Sequence, residues 1–554
     1  MSRNVNSFFS EVPASLDISR SKFIRNQSIK TSFNVGELIP FYIDEVLPGD
    51  TFSIDTSKVV RLSTPITPIM DNIYLDTYFF FVPNRLAWQH WKEFMGENTQ
   101  SAWIPQVSYS VPQITSPANT GWNVGTIADY LGIPTGIAGL SVNALPLRMY
   151  ALICNEWFRD ENLTDPIFVP VTDATVAGSN GSQYNTDCAK GGMPFKVAKY
   201  HDYFTSALPA PQKGPDVLLP IGQQAPVYTA GSVDTSSLSN DSLKFKASTG
   251  TLVQGAHNMM AYNASGASSY YAMVDETTVT TPTNRAALTP INLMADLTRA
   301  TGSSINQLRQ AFQVQKLYEK DARGGTRYTE ILKSHFGVTS PDSRLQRPEY
   351  LGGSRVPINI NQVLQQSETS ASSPLGDPGA YSLTIDSHSD FTKSFTEHGF
   401  VMGLCCARYD HTYQQGLERM WSRTIREQYY FPVFANLGEQ AIKNREIYAQ
   451  GNSNDDEVFG YQEAWAEYRY KPNRVSGMMR SSYAQSLDVW HLADDYNALP
   501  RLSDAWIRED KNTVDRALAV SSSVSHQLIA DIYVSNKSVR PMPLYSVPGL
   551  IDHH

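Results

Sequence analysis

The sequence predicts a mainly β protein, a β-sandwich whose strands are separated by long, structured connections. Three observations carry this. Residues 70–96 (MDNIYLDTYFFFVPNRLAWQHWKEFMG) contain a strand that ends apolar on both faces. Charged residues are only 18 % of the 554-residue chain, below the usual quarter or so. The 32 prolines and 34 glycines are spread along the chain, and no linker divides it, although length alone suggests about three or four domains.

In the organising stretch, Ile73, Leu75, Thr77, Phe79 and Phe81 fall on one side of an extended chain. Tyr74, Asp76, Tyr78, Phe80 and Val82 fall on the other, because strand side chains alternate. The strand is therefore expected to start near solvent and end between two layers. Pro83 lacks an N–H and closes it. Asn84 is expected to cap a helix with Trp88, Trp91 and Met95 on one stripe and Phe94 beside them, ended by Gly96.

Before it, residues 38–43 and 51–62 read as strands around the turn Pro48-Gly49-Asp50. Residues 98–143 form a long ordered excursion, since Trp103 and Trp122 need cover. Residues 147–161 read as a helix with Tyr150, Ile153, Cys154, Trp157 and Phe158 on one face, Cys154 being a core residue. Residues 207–227 are proline-punctuated extended chain. In 229–284, 26 of 56 residues are Ser, Thr, Asn or Gly, so this block adds little to a core and reads as a projecting insertion. Met259, Met260, Tyr262, Tyr270 and Tyr271 are its aromatic and thioether anchors, a composition suited to adaptable recognition. Ser304 opens a capping box before an apolar helical face of Ile305, Leu308, Phe312 and Tyr318, with Ala311, Val314 and Leu317. Gly324-Gly325 stops that helix, and Thr326 caps the next. Residues 400–413, 464–470 and 526–534 read as strands, and 540–554 as an extended C-terminal tail.

Composition narrows the function. Net charge is −9, so the whole chain is no polycation, and any nucleic acid must be met by local patches or a basic partner. Residues 1–8 lack the apolar core of a signal peptide. No run of roughly 18 apolar residues is present to span a membrane. Cys154, Cys188, Cys405 and Cys406 show no C-x-x-C spacing, as fits a reducing compartment without a disulfide framework. In 1–30, Arg3, Arg20, Lys22, Arg25 and Lys30 outnumber Glu11 and Asp17, which suggests a polar N-terminal arm.

No catalytic or metal constellation stands out. ARGGTR (322–327) pairs Arg323 and Arg327 across a diglycine that could cradle phosphate, but it lacks the P-loop pattern. Salt bridges within a helix–turn–helix are the simpler role. His201-Asp202 and the Asp386–Asp390 run (DSHSD) lack metal-ligand spacing. Asn454-Asp455-Asp456-Glu457 lacks the EF-hand alternation. No G-x-S-x-G elbow occurs, whereas a glycosidase carboxylate pair can come from anywhere in a fold.

The organising stretch closely resembles the major capsid proteins of gokushoviruses, small icosahedral single-stranded DNA phages of the Microviridae. LIPFYIDEVLPGDTF (38–52), NEWFRDENL (155–163) and KYHDYFTSALPAPQKG (199–214) match in order. INQLRQAFQVQKLYEKDARGGTRYTEIL (305–332), RLQRPEYLGG (344–353), TYQQGLERMWSR (412–423) and FGYQEAWAEYRYKP (459–472) follow. The resemblance implies a single eight-stranded antiparallel viral jelly roll as the capsid body, residues 31–554. It implies a homo-oligomer of sixty copies in a T=1 shell around circular ssDNA, assembled in the bacterial host cytoplasm. A small basic DNA-binding protein, an internal scaffolding protein and a DNA pilot protein are the implied partners. It also places a variable protrusion at the threefold axes in 229–284, for which a host cell-surface receptor is expected. An internal arm would turn Arg20, Lys22 and Arg25 toward DNA, and an inward diglycine turn would do so for Arg323 and Arg327. The expectation is no enzyme, cofactor or membrane insertion. Alternatives are a β-sandwich carbohydrate-active enzyme and a receptor-binding decoration protein of a larger virion.

Overall fold

The computed structural model describes residues 20–98, 109–217, 227–229, 245–247, 259–262, 271–274, 288–290, 293–295, 305–367, 369 and 374–545. Chain contacts divide it into two units, residues 1–213 with 319–554, and residues 214–318.

The larger unit is built on two antiparallel sheets. Their strands are β1 (Ser21–Ile24), β2 (Gln27–Phe33), β3 (Glu37–Val46), β4 (Thr51–Leu62) and β5 (Ile73–Pro83). Further along come β6 (Phe195–Lys196), β7 (Glu349–Pro357), β8 (Thr384–Ser394), β9 (Gly399–Tyr409) and β10 (Leu528–Arg540). In the first sheet β10 has β4 on one side and both β1 and β2 on the other, with β8 beyond β4. The second runs β7–β5–β9–β3–β6.

The two faces of β5 explain its composition. Ile73, Leu75, Phe79 and Phe81 join Phe33, Phe52, Ile54, Val60 and Ile532 in one core. Phe80 and Val82 join a second core with Met402, Leu404, Trp88, Trp122 and Tyr150 on the far side of the same sheet. Helix α1 (Leu145–Ile153) belongs to that second core. A strand between two cores must be apolar on both faces. By contrast β10 alternates buried and exposed along Leu528–Val534, so the first sheet keeps one face to solvent. At the centre of β9, Gly403 leaves room for rings: a Cβ there would lie 2.9 Å from both Phe41 and Phe79.

Several local expectations are corrected. The β5 strand does not start near solvent, because Asp76 is only 2 % exposed. The helix expected after Pro83 is two separate single turns, Asn84–Ala87 and Trp91–Phe94, and Asn84 lies inside the first rather than capping it. Trp88 between them is extended, its indole N–H donates to Asp173 at 2.6 Å, and Gln89 N–H donates to Val171 O. These tertiary bonds replace the helical ladder, and Phe94 and Met95 remain exposed. The 147–161 helix starts at Leu145, with Pro146 in its first turn, and becomes a π-helix over Cys154–Phe158. The wider turn brings both Trp157 and Phe158 against Phe80.

Residues 464–470 are not a strand. The strand is Val458–Glu463, followed by left-handed Trp465 at φ 69° and a 3-10 turn. Trp465 donates to Phe434 O, and Glu467 turns in to Arg423 at 2.8 Å. The 400–413 strand ends at Tyr409, and Thr412–Tyr413 pairs parallel with Asn473–Arg474. Two helices follow the insertion, α2 (Ile305–Gly324) and α3 (Tyr328–Phe336). Arg327, not Thr326, is the cap residue of α3, and the Glu330 carboxylate takes its backbone N–H. Trp122 is buried as expected; Trp103 and Ser304 lie outside the described residues.

Among the described residues of the smaller unit, three antiparallel pairs are nested in sequence: Val227–Thr229 with Leu293–Ala295, Phe245–Ala247 with Leu288–Pro290, and Met259–Tyr262 with Tyr271–Val274.

Candidate functional site: charged clusters and the nested insertion

The first half of β5 opens onto a polar node. Asp76 accepts from Arg355 (2.7 Å), Arg408 (2.7 Å), Tyr200 (2.8 Å) and Tyr78 (3.1 Å). Arg355 and Arg408 both stack on Tyr200, at 4.4 and 4.3 Å from its ring centre. Burial pushes the Asp76 carboxyl up, and the two guanidiniums outweigh it, holding it below the ordinary carboxylate range. The node borders an open cleft of about 1080 Å³. Seven Lys or Arg side chains line that cleft against three Asp or Glu, but Arg355, Arg408, Arg323 and Lys199 are paired with Asp76, Glu439 and Asp494 behind the lining.

Arg323 and Arg327 both line this cleft. Arg323 ion-pairs with Glu439. Arg327 is mostly buried, pairs with Glu161 at 3.1 Å and donates to the carbonyls of Asn155 and Arg159. Burial and the neighbouring Glu161 push Glu330 up to about 7.

Among the N-terminal candidates, Lys22 is an exposed residue of β1 and Arg20 is exposed just before it. Arg25 makes a two-pronged contact to Asp44, at 2.6 and 2.7 Å. In the insertion, Met259, Met260 and Tyr262 lie in one strand, with Tyr262 opposite Tyr271; Tyr270 lies outside the described residues.

A second buried cluster had no sequence signal. His411, 1 % exposed, sits between Asp494 (3.0 Å) and Glu509 (3.1 Å), and Lys199 reaches Asp494 at 3.3 Å. Burial pushes the imidazole down, but Glu509 and Asp494 prevail and raise it to about 9. His411 lies 83 residues from Asp494 and 98 from Glu509, so no spacing rule could have found the cluster.

The remaining reactive types are structural. All four cysteines are buried, and burial pushes each thiol up. Asp202 and Asp455 accept backbone N–H groups of their own turns. Among the described residues no group of three His, Cys, Asp or Glu could hold a metal, and no helix is long and apolar enough to cross a membrane.

Two packed antiparallel sheets, with the Asp76 and His411 clusters paired internally, make the larger unit a β-sandwich. Residues 10–550 match the family described as Capsid protein (F protein), and the chain belongs to that family. It is 44 % identical over 538 residues to the capsid protein VP1 of Spiroplasma virus 4, covering 96 % of each chain. To VP1 of Bdellovibrio phage phiMH2K it is 43 % identical over 556 residues, covering 99 % of this chain and 98 % of that one. To VP1 of Chlamydia phage 1 it is 42 % identical over 587 residues, covering 98 % and 97 %. It is a structural major capsid protein of the small ssDNA phage type and not an enzyme, and the family expected from the motifs is borne out.

Proposed function

We propose that the chain forms a T=1 shell of sixty copies around a circular ssDNA genome, using an eight-stranded jelly roll as the tile. The carrying observation is the ladder pattern. Take β1 with β2 as one interrupted strand and set the two-residue β6 aside, which leaves four strands per sheet. In chain order the first then pairs with the eighth, the second with the seventh, the third with the sixth and the fourth with the fifth. One long antiparallel ribbon rolled on itself gives this pairing.

In this reading residues 229–284 form the protrusion that meets the host receptor, through Met259, Met260, Tyr262, Tyr270 and Tyr271. Arg20, Lys22 and Arg25 face the packaged strand, and Arg323 and Arg327 do so at the diglycine turn. A chain of net charge −9 leaves much of the phosphate neutralisation to a small basic DNA-binding protein. An internal scaffolding protein and a DNA pilot protein act during assembly in the host cytoplasm. The test is the purified full-length chain by size-exclusion chromatography and electron microscopy. Megadalton icosahedral particles are expected; a stable monomer or trimer rejects the reading.

A further inference from the structure

Residues 417–437 invert the usual placement of side chains. Three 3-10 turns, Arg419–Ser422, Arg426–Gln428 and Pro432–Phe434, make up the segment. Two of its arginines point inward. Arg419 is 13 % exposed and bonds Glu446 at 2.7 Å, and Arg423 is 7 % exposed and bonds Glu467 at 2.8 Å. Its apolar side chains point out: Trp421 is 68 % exposed, Ile425 54 %, Val433 82 % and Leu437 59 %, with Met420, Tyr429 and Tyr430 also exposed.

The rings form one surface. Arg423 lies over both Tyr429 and Tyr468, Tyr430 packs on Trp465 and Tyr468, and Phe434 stacks on Trp465. Buried ion pairs and the Trp465 hydrogen bond to Phe434 O hold it from beneath. The exposure is therefore that of a fixed surface, not of a loose loop.

We propose that residues 417–437 are an intersubunit contact, covered in the shell by a second copy of this chain. The proposal rests on the shell reading above. Eight large apolar side chains of the segment are on average half exposed, and with three aromatic ones of about 150–250 Å² each beside five aliphatic ones they offer several hundred Å². A standard interface takes about 800 Å² from each partner, and a lone soluble chain seldom leaves a patch above about 600 Å² uncovered. Composition points to protein rather than nucleic acid. Exposed Arg426 and Glu427 cancel, giving no electrostatic hold on phosphate. Trp, Tyr, Met and Arg are the types enriched where proteins meet. A partner needed at every copy of the patch is most simply another copy, meeting it through a different surface so that the contact propagates into a closed shell.

The test uses the full-length chain, as particles and as subunits released from them by mild denaturant and returned to buffer below the assembly concentration. Met420 oxidation by dilute peroxide, read by peptide mass spectrometry, is expected to slow at least about tenfold in particles. Trp421→Asp with Val433→Asp is expected to keep the wild-type circular dichroism and protease resistance but raise the concentration needed for assembly at least about tenfold, the effect of losing one hot spot. Particles in which Met420 reacts as fast as in subunits overturn this contact and leave the shell reading standing. So does a folded double variant that assembles like wild type. If the wild-type chain forms no particles, both fall.

Discussion

Replacing Asp76 by Asn tests the account of β5 most directly. The change keeps the volume and one acceptor oxygen, removes the charge and turns the other oxygen into an N–H₂ donor facing donors. Asp76 is 2 % exposed and meets two guanidiniums at 2.7 Å. The two do not weigh equally. Arg355 is 53 % exposed, so solvent screens its share to about 0–1 kcal/mol. Arg408 is 15 % exposed, and losing its anion leaves a largely buried charge uncompensated, which costs about 3–5 kcal/mol. Asp76→Asn is therefore expected to destabilise the subunit by about 3–5 kcal/mol in urea unfolding followed by tryptophan fluorescence, and Arg355→Met by no more than about 1 kcal/mol. Asp76→Leu with Arg408→Met should recover much of the loss, because an apolar pair of similar volume has no charge to desolvate. The carboxyl is held below its unfolded value, so its contribution is full above about pH 4 and is lost as pH falls through the folded pKa. A cost below about 1 kcal/mol for Asp76→Asn, or a double variant as unstable as the single, would refute the reasoning.

Further outcomes are expected. His411 is raised to about 9, so its contribution is full below about pH 6.5 and is lost as pH rises through about 9; the urea midpoint should fall across that window in wild type and stay flatter in His411→Gln. Gly403→Ala pushes a methyl against Phe41 and Phe79 and should cost about 1–3 kcal/mol by the same unfolding measurement. Deleting 229–284 should leave assembly intact and reduce attachment to host cells, with unchanged attachment counting against the receptor role. Changing Arg20, Lys22 and Arg25 to Ala should lower the DNA content per particle, read as the 260/280 nm absorbance ratio; equal packaging counts against a DNA-facing arm.

Much of the sandwich was legible because its strands carry period-two patterns that local chemistry enforces. Residues 51–62 coincide with β4, and the alternation of Leu528, Ala530, Ile532 and Val534 coincides with the inner face of β10. The misreadings share one cause, a long-range partner that outbids local propensity. Asp173 and Val171 break the helix after Pro83, and Phe434 O and Arg423 turn 464–470 out of a strand. Of the site candidates, sequence named Arg323, Arg327 and Arg25 but could not name Glu439, Glu161 and Asp44 as their anions.

By itself the sequence determined the β architecture, the strand that ends at Pro83 apolar on both faces and, through its motifs, the capsid family, since these depend on side-chain order along one segment. Only the tertiary structure decided where charge is spent and where apolar surface is left over. The ions around Asp76 and His411, and the outward-facing side chains of residues 417–437, depend on ion-pair partners 27 to 332 residues apart in sequence, beyond the reach of local periodicity.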